Sequence, residues 1–362
     1  MTTARNTLPC LAVMAVAIVL SGCTNRGVSN ETGVHSTKTK DPPPIATEIG
    51  TLAGHKDAVS ALAYTPDGRY IVSAGYGDFS VRLWDPLTLR LIQSIRTENR
   101  IRCLAVSSIT NAFVTGDVYG KLGFWAIVNG RLVQSAEIAN GPGPIHAIAL
   151  SRNGAILAVG SFDRIVSIWD MRTRTLRGRM TTEPGAASAV ALSPDGKLLA
   201  TAGEGSWFTI WDSTWTKRRV LVVSKVNAKS TITALAFSAN GKYFATAHNE
   251  STHSIWNTRD WRETYNTYVT DASTMAATFS ADGRYLATAQ YGTGVHLWEP
   301  GSGRQAGVIR EFKKPFESLA FSPDGRTLAT GGQDRTIRFW RLLSKPRVIA
   351  GNSDAGSSRL RP

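Results

Sequence analysis

Cysteine is scarce. Three thiols in 362 residues, with no Cys-x-x-Cys pair, exclude a disulfide scaffold and the common zinc and redox motifs. Helix-type periodicity is scarce too, and Gly-punctuated short apolar runs take its place, which points to an all-β chain. Acidic charge is in short supply. The 27 Asp and Glu face 41 Lys and Arg, a net charge of +14, and such a surface favours anionic partners. Apolar residues still make up 42% and charged residues 19%, enough for a substantial core.

The signatures of catalysis are missing as well. There is no Gly-x-Ser-x-Gly, no phosphate loop, no dinucleotide glycine fingerprint and no His-Glu-x-x-His. No carboxylate pair stands out as acid and base. His248, Glu250 and His253 cluster before Trp256, but two histidines at that spacing read as solvated loop residues rather than metal ligands. The sequence therefore predicts no enzyme, no cofactor and no metal.

The front of the chain reads as an export signal. Arg5 precedes a ten-residue apolar run, Leu11 to Leu20, too short to span a bilayer as a helix. The run ends in Leu20-Ser21-Gly22-Cys23. This resembles a bacterial lipoprotein signal peptide, residues 1–22. The resemblance implies cleavage before Cys23, acylation of its thiol (palmitate among the chains), and membrane attachment by the N-terminal lipid. An uncleaved N-terminal anchor with a chance cysteine is the other reading. Thr24, where an Asp would signal retention, directs such a protein to the outer membrane, facing the periplasm, if the host is Gram-negative. Residues 23–46 are then an acylated cysteine and a flexible tether. Cys103 alone keeps its thiol, as a small buried apolar residue.

Seven tryptophans recur at even steps: Trp84, Trp125, Trp169, Trp211, Trp256, Trp298 and Trp340. Upstream of six of them lies a turn dipeptide, Asp67-Gly68, Asn153-Gly154, Asp195-Gly196, Asn240-Gly241, Asp282-Gly283 or Asp324-Gly325, suited to a tight hairpin. The second repeat has Ile109-Thr110-Asn111 instead. Four short apolar runs per unit imply a four-stranded sheet that cannot bury both faces alone, and stacking such units around an axis buries them.

With Gly54-His55, Pro66-Asp67-Gly68 and Trp84-Asp85 in its first unit, the chain resembles the WD40-repeat family over residues 47–345. The resemblance implies a seven-bladed β-propeller. Thr47 to Leu52 would supply the outer strand of the last blade, with Arg347 to Ala350 as a competing candidate. It also implies a structural network of His55, Ser73, Asp78 and Trp84, complete in the first repeat only; Asp163 and Asp334 keep its Asp position. Residues 346–362 read as a disordered basic tail.

Two faces follow from the repeat map. On one, Arg100, Phe162, Glu204, Lys229, Tyr291, Lys313 and Lys314 are candidates for a protein partner, with aromatic anchors at loop tips. On the other, Arg174, Trp215, Lys217, Arg218, Trp261 and Arg262 are candidates for an anionic lipid or envelope polymer. The leading functional expectation is a lipid-anchored interaction scaffold of the cell envelope with an unidentified protein partner. The alternatives are a small-ligand-binding or enzymatic propeller using its central channel, or an accessory lipoprotein in envelope assembly. Export argues against nucleic acid.

Overall fold

The computed structural model describes residues 45–182, 185–223, 230–250, 252–268, 273–310 and 314–343, with the backbone alone at Arg218 and Tyr268. Cys23, the tether up to Pro44, the tail and Arg347 to Ala350 lie outside the described residues, and the last tether residue, Ala46, belongs to a strand.

The six dipeptide turns share a local device. A Ser or Thr two residues before the Asp or Asn donates its hydroxyl to that side chain, as Thr65 Oγ1 does to Asp67 Oδ1 at 2.6 Å and Ser280 Oγ to Asp282 Oδ1 at 2.7 Å. The same hydroxyl oxygen accepts the N–H five residues on, Tyr70 N at 3.0 Å in the first turn. The glycine follows at φ near +70°, a region that disfavours side chains with a Cβ. The second repeat makes do with Ser107 Oγ, which accepts from Ile109 N at 3.3 Å and Thr110 N at 3.2 Å.

These turns join strands into seven four-stranded antiparallel sheets, with no helix among the described residues. Blade 1 runs in sequence order, Val59–Tyr64, Ile71–Gly75, Ser80–Asp85 and Arg90–Arg96. Five further blades follow the same order. Their inner strands are Ile101–Val106, Ile145–Leu150, Ala189–Leu192, Ile232–Phe237 and Thr274–Phe279. Blade 7 contributes Phe316–Phe321, Thr327–Gly332 and Thr336–Leu342, and its outer strand is Ala46–Ala53 from the start of the domain. Thr47 pairs with Arg341 and Leu52 with Ile337, so the predicted closing segment takes that edge. Each inner strand lies against the next, and the last returns to the first. The ring is closed, which leaves no blade with a bare apolar face.

The core lies in the seams between blades. Three residues before each repeat Trp, a side chain reaches the next blade's inner strand and its Trp. Val81 meets Ile101 and Trp125, Leu122 meets Ile145 and Trp169, and Ile337 meets Val59 and Trp84. Every repeat indole N–H is also bonded. Ser73 accepts from Trp84 at 2.7 Å, and Thr115, Thr201, Thr246, Thr288 and Thr330 accept in five other blades at 2.8 to 3.5 Å. In blade 3, Trp169 Nε1 donates to Asn140 Oδ1 at 2.8 Å. So although the full network is confined to the first repeat, a Thr ten residues before the Trp keeps the indole hydrogen bond in five other blades.

Candidate functional site

One face of the ring carries the loops leading into the inner strands and the turns between second and third strands. In blade 1 the four expected network residues meet there. His55 Nδ1 lies 2.8 Å from Asp78 Oδ2, and His55 Nε2 lies 2.7 Å from Ser73 Oγ, which also accepts Trp84 Nε1–H. The proton order is consistent throughout: Trp84 donates to Ser73, Ser73 to His55 Nε2, and His55 Nδ1–H to Asp78. Burial holds the imidazole below its ordinary pKa, against the pull of Asp78. Burial works to raise the Asp78 carboxyl, but hydrogen bonds from His55, Ser80 and the Lys56 N–H outweigh it and keep it well below the usual carboxylate range. Ser73 is fully buried and its oxygen already serves two partners. This His, Ser and Asp set clamps a loop to a turn and offers its hydroxyl to no substrate.

The innermost strands place a second set of residues on this face. Directly after the first residue of the inner strand the pairing register shifts, as between Val59 and Ala61, Ile101 and Cys103, or Phe316 and Ser318. Such bulges re-aim a side chain. The bulge residues include Ser60, Arg102, His146 and Glu317. Burial raises the Glu317 carboxyl, with the charge of Asp57 adding to the rise, while Gln333 Nε2 donates to it at 3.0 Å and Arg102 opposes. Burial, helped by Arg102, pushes the His146 imidazole down to about 4. None of these three was singled out from the sequence. The available signal was their place one residue beyond a buried strand start.

The candidate partner-binding residues surround this ring. Phe162 is 50% exposed and stacks on His146 with centroids 5.6 Å apart. Arg100 is exposed, its guanidinium 5.4 Å from the Tyr76 ring and 5.7 Å from the Phe79 ring. Tyr291 is 54% exposed, and Glu204 and Lys314 are exposed. Lys229 and Lys313 lie outside the described residues. The face thus mixes half-exposed aromatics with cations and buried acid, a combination suited to gripping a protein surface.

The opposite face differs from expectation. Trp215 and Trp261 adopt φ of +63° and +59° in the turns before the outer strands. That conformation turns each side chain back against the seam with the preceding blade. Trp261 packs on Phe208, Phe237 and Phe244 at 5.6 to 6.3 Å, and Trp215 joins the cluster of Val166, Ile168 and Met180. Both are half-buried and pack at seams between blades. Arg174, at φ +57°, does the same, lying 5.5 Å from the Phe124 ring and donating to Ser135 Oγ at 3.0 Å. Lys217 and Arg262 are exposed, while the side chain of Arg218 lies outside the described residues.

His248 and His253 are not solvated loop residues. His248 ends the strand Tyr243–His248, His253 lies within Thr252–Asn257, and both are fully buried. Among the described residues no group of three or more His, Cys, Asp or Glu is arranged to hold a metal ion. The Cys103 thiol is pushed up to about 12 by burial.

The family description "WD domain, G-beta repeat" matches residues 46–85 and 307–341, the blades on either side of the ring closure. A second, "Eukaryotic translation initiation factor eIF2A", matches residues 103–258. Similar proteins include Autophagy-related protein 16 of Arabidopsis thaliana, 29% identical over 133 residues, which is 36% of this chain and 25% of that one. WD repeat-containing protein 3 of Homo sapiens is 26% identical over 129 residues, 36% of this chain and 13% of its own length. The WD repeat domain-containing protein 83 homolog of Dictyostelium discoideum is 26% identical over 125 residues, 34% and 38% of the two chains. The chain thus spans well under half the length of these relatives. It carries WD40 repeats, built into a seven-bladed propeller.

Proposed function

We propose that the protein is a non-enzymatic scaffold of the bacterial cell envelope, held to the membrane by lipid on Cys23, and that it binds a protein partner on the face carrying Arg100, Phe162 and Tyr291. The observation that carries this reading is the exposure of Phe162 and Tyr291 around the ring of Arg102, His146 and Glu317. Large aromatics beside cations on a rigid platform are the residues that dominate binding energy at protein interfaces. WD40 propellers commonly bind protein partners, which supports the same reading. The anchor rests on Leu20-Ser21-Gly22-Cys23, and Thr24 favours the periplasmic side of an outer membrane in a Gram-negative host.

Photo-crosslinkers placed at Phe162 and at Lys242, on opposite faces, test the reading in intact cells. A discrete adduct from position 162, lost on Arg100→Glu and absent from position 242, is expected. Equal adducts from both positions, or none from 162, would overturn the assignment of the face.

One observation favours a small-ligand reading instead. Blade 2 lacks counterparts of His55 and Arg82, and a cavity of about 130 Å³ opens there, lined by Asn99, Asp117, Lys121 and Glu137 among others. Lys121 already bridges Glu98 and Glu137 at 2.8 Å each, so its charge is committed within the protein.

A further inference from the structure

The chain enters the propeller at one particular place. Ile45 and Ala46 begin the outer strand of blade 7 beside Leu342, at the end of the ring that carries the turns into the outer strands. In the neighbouring blade that turn is Asp85-Pro86-Leu87-Thr88-Leu89-Arg90. Leu87 is 90% exposed there, the most exposed large apolar side chain described. The matching position holds Arg172, Arg259 and Gly301 in blades 3, 5 and 6. Leu89, at φ +55°, leans across onto Gly50 of the entering strand, so the turn and the point of attachment form one surface. Leu91 and Leu343 are also exposed on it, as are Arg90 and Arg341. The Asp85 carboxylate is turned inward, accepting from Leu87 N at 2.8 Å and Thr88 N at 3.1 Å.

We infer that this rim of blades 1 and 7 rests on an anionic lipid leaflet, with Leu87 inserted among the headgroups and Arg90 and Arg341 over the phosphates. The inference rests on the lipid-anchored reading. Twenty-one residues, Thr24 to Pro44, separate Cys23 from Ile45, so a lipid on Cys23 joins the ring from this side. Leucine at the tip of a turn flanked by arginine matches the chemistry of an interfacial contact. The site lies on the same face as Trp215 and Trp261, whose indoles are half-buried between blades.

Hydrogen exchange of the full chain, purified from a bacterial host, with and without vesicles of phosphatidylglycerol and phosphatidylethanolamine, tests the inference. Exchange at residues 85–92 should slow at least threefold with vesicles, with no change at 289–294 on the opposite face. Leu87→Glu should abolish the protection and Leu87→Phe should keep it. No protection at 85–92, or equal protection at 289–294, overturns the inference. Protection that appears without vesicles and grows with protein concentration overturns it in favour of a second copy. Intact mass reads the anchor separately. A chain lacking acyl chains refutes the anchor, and the rim is then judged by the same exchange at lipid excess.

Discussion

Blade 1 and the seam between blades 5 and 6 bury similar polar groups and treat them in opposite ways. In blade 1, His55, Ser73, Asp78 and Trp84 satisfy one another in an unbroken chain. In the other seam His253 takes the place held by Val81, Leu122, Val166, Phe208, Val295 and Ile337 elsewhere. Its ring lies 4.2 Å from Trp298, where the six other seams are apolar. Thr274 likewise replaces the apolar first residue of an inner strand. Both nitrogens of His253, Nε2 of His248, Oγ1 of Thr274 and Nε2 of Gln290 have no hydrogen-bond partner among the described residues. Burial of a histidine thus says nothing by itself. A completed network fixes a loop, whereas an uncompleted one weakens a joint. A closed ring tolerates one weak joint because the remaining seams hold its ends together.

The largest effect should come from breaking the completed side. Asp78→Ala strands His55, Ser80 and the Lys56 N–H at once and should cost about 3–5 kcal/mol, read as a lowered urea midpoint. A loss under about 1 kcal/mol would show that the two regions do not differ.

Repairing the other side should have the opposite sign. His253→Val restores the residue type of the other seams and should stabilise by about 1–3 kcal/mol, by removing buried groups that lack partners among the described residues. It should also flatten the pH profile. Burial pushes the imidazole of His253 down to about 3 and those of His248 and His296 to about 4; His248 and His296 add repulsion at His253, and Arg310 does so at His296. The unfolded chain binds these protons near pH 6.5 and the folded one only much lower. Their contribution is whole above pH 6.5 and is lost as pH falls toward 4, by up to about 1.4 kcal/mol per pH unit for each histidine. Denaturant midpoints between pH 7 and 4 measure this, and the wild-type slope should be steeper than that of His253→Val.

The smallest effect should come from the bond the two regions share. Thr288→Val removes the acceptor of Trp298 Nε1–H, now at 3.0 Å, and should cost about 1 kcal/mol. A similar loss is expected for Thr115→Val in blade 2, which removes the acceptor of Trp125 Nε1–H at 3.0 Å beside the completed blade. A marked inequality between the two would show that the weak seam reaches into blade 6.

The repeat spacing and the hairpin glycines were legible because each is a local signal with a fixed offset from Trp. The closing strand and the His55 network were legible only through the resemblance to the WD40-repeat family. Arg102, His146 and Glu317 were not, because a bulge that redirects one side chain leaves no mark in apolar periodicity. The packing of Trp215 and Trp261 between blades was not legible from their place in a turn. The left-handed backbone at those positions sends the ring back onto a neighbouring blade.

By itself the sequence determined how many blades there are, where each one turns and which side chains lie in the strands, since these depend on contacts within some forty residues. The tertiary structure alone decided which histidines are satisfied, which aromatics remain exposed and which leucines meet solvent where the chain enters. Those outcomes depend on what the adjacent blade presents across the seam, and one repeat carries no record of its neighbour's face.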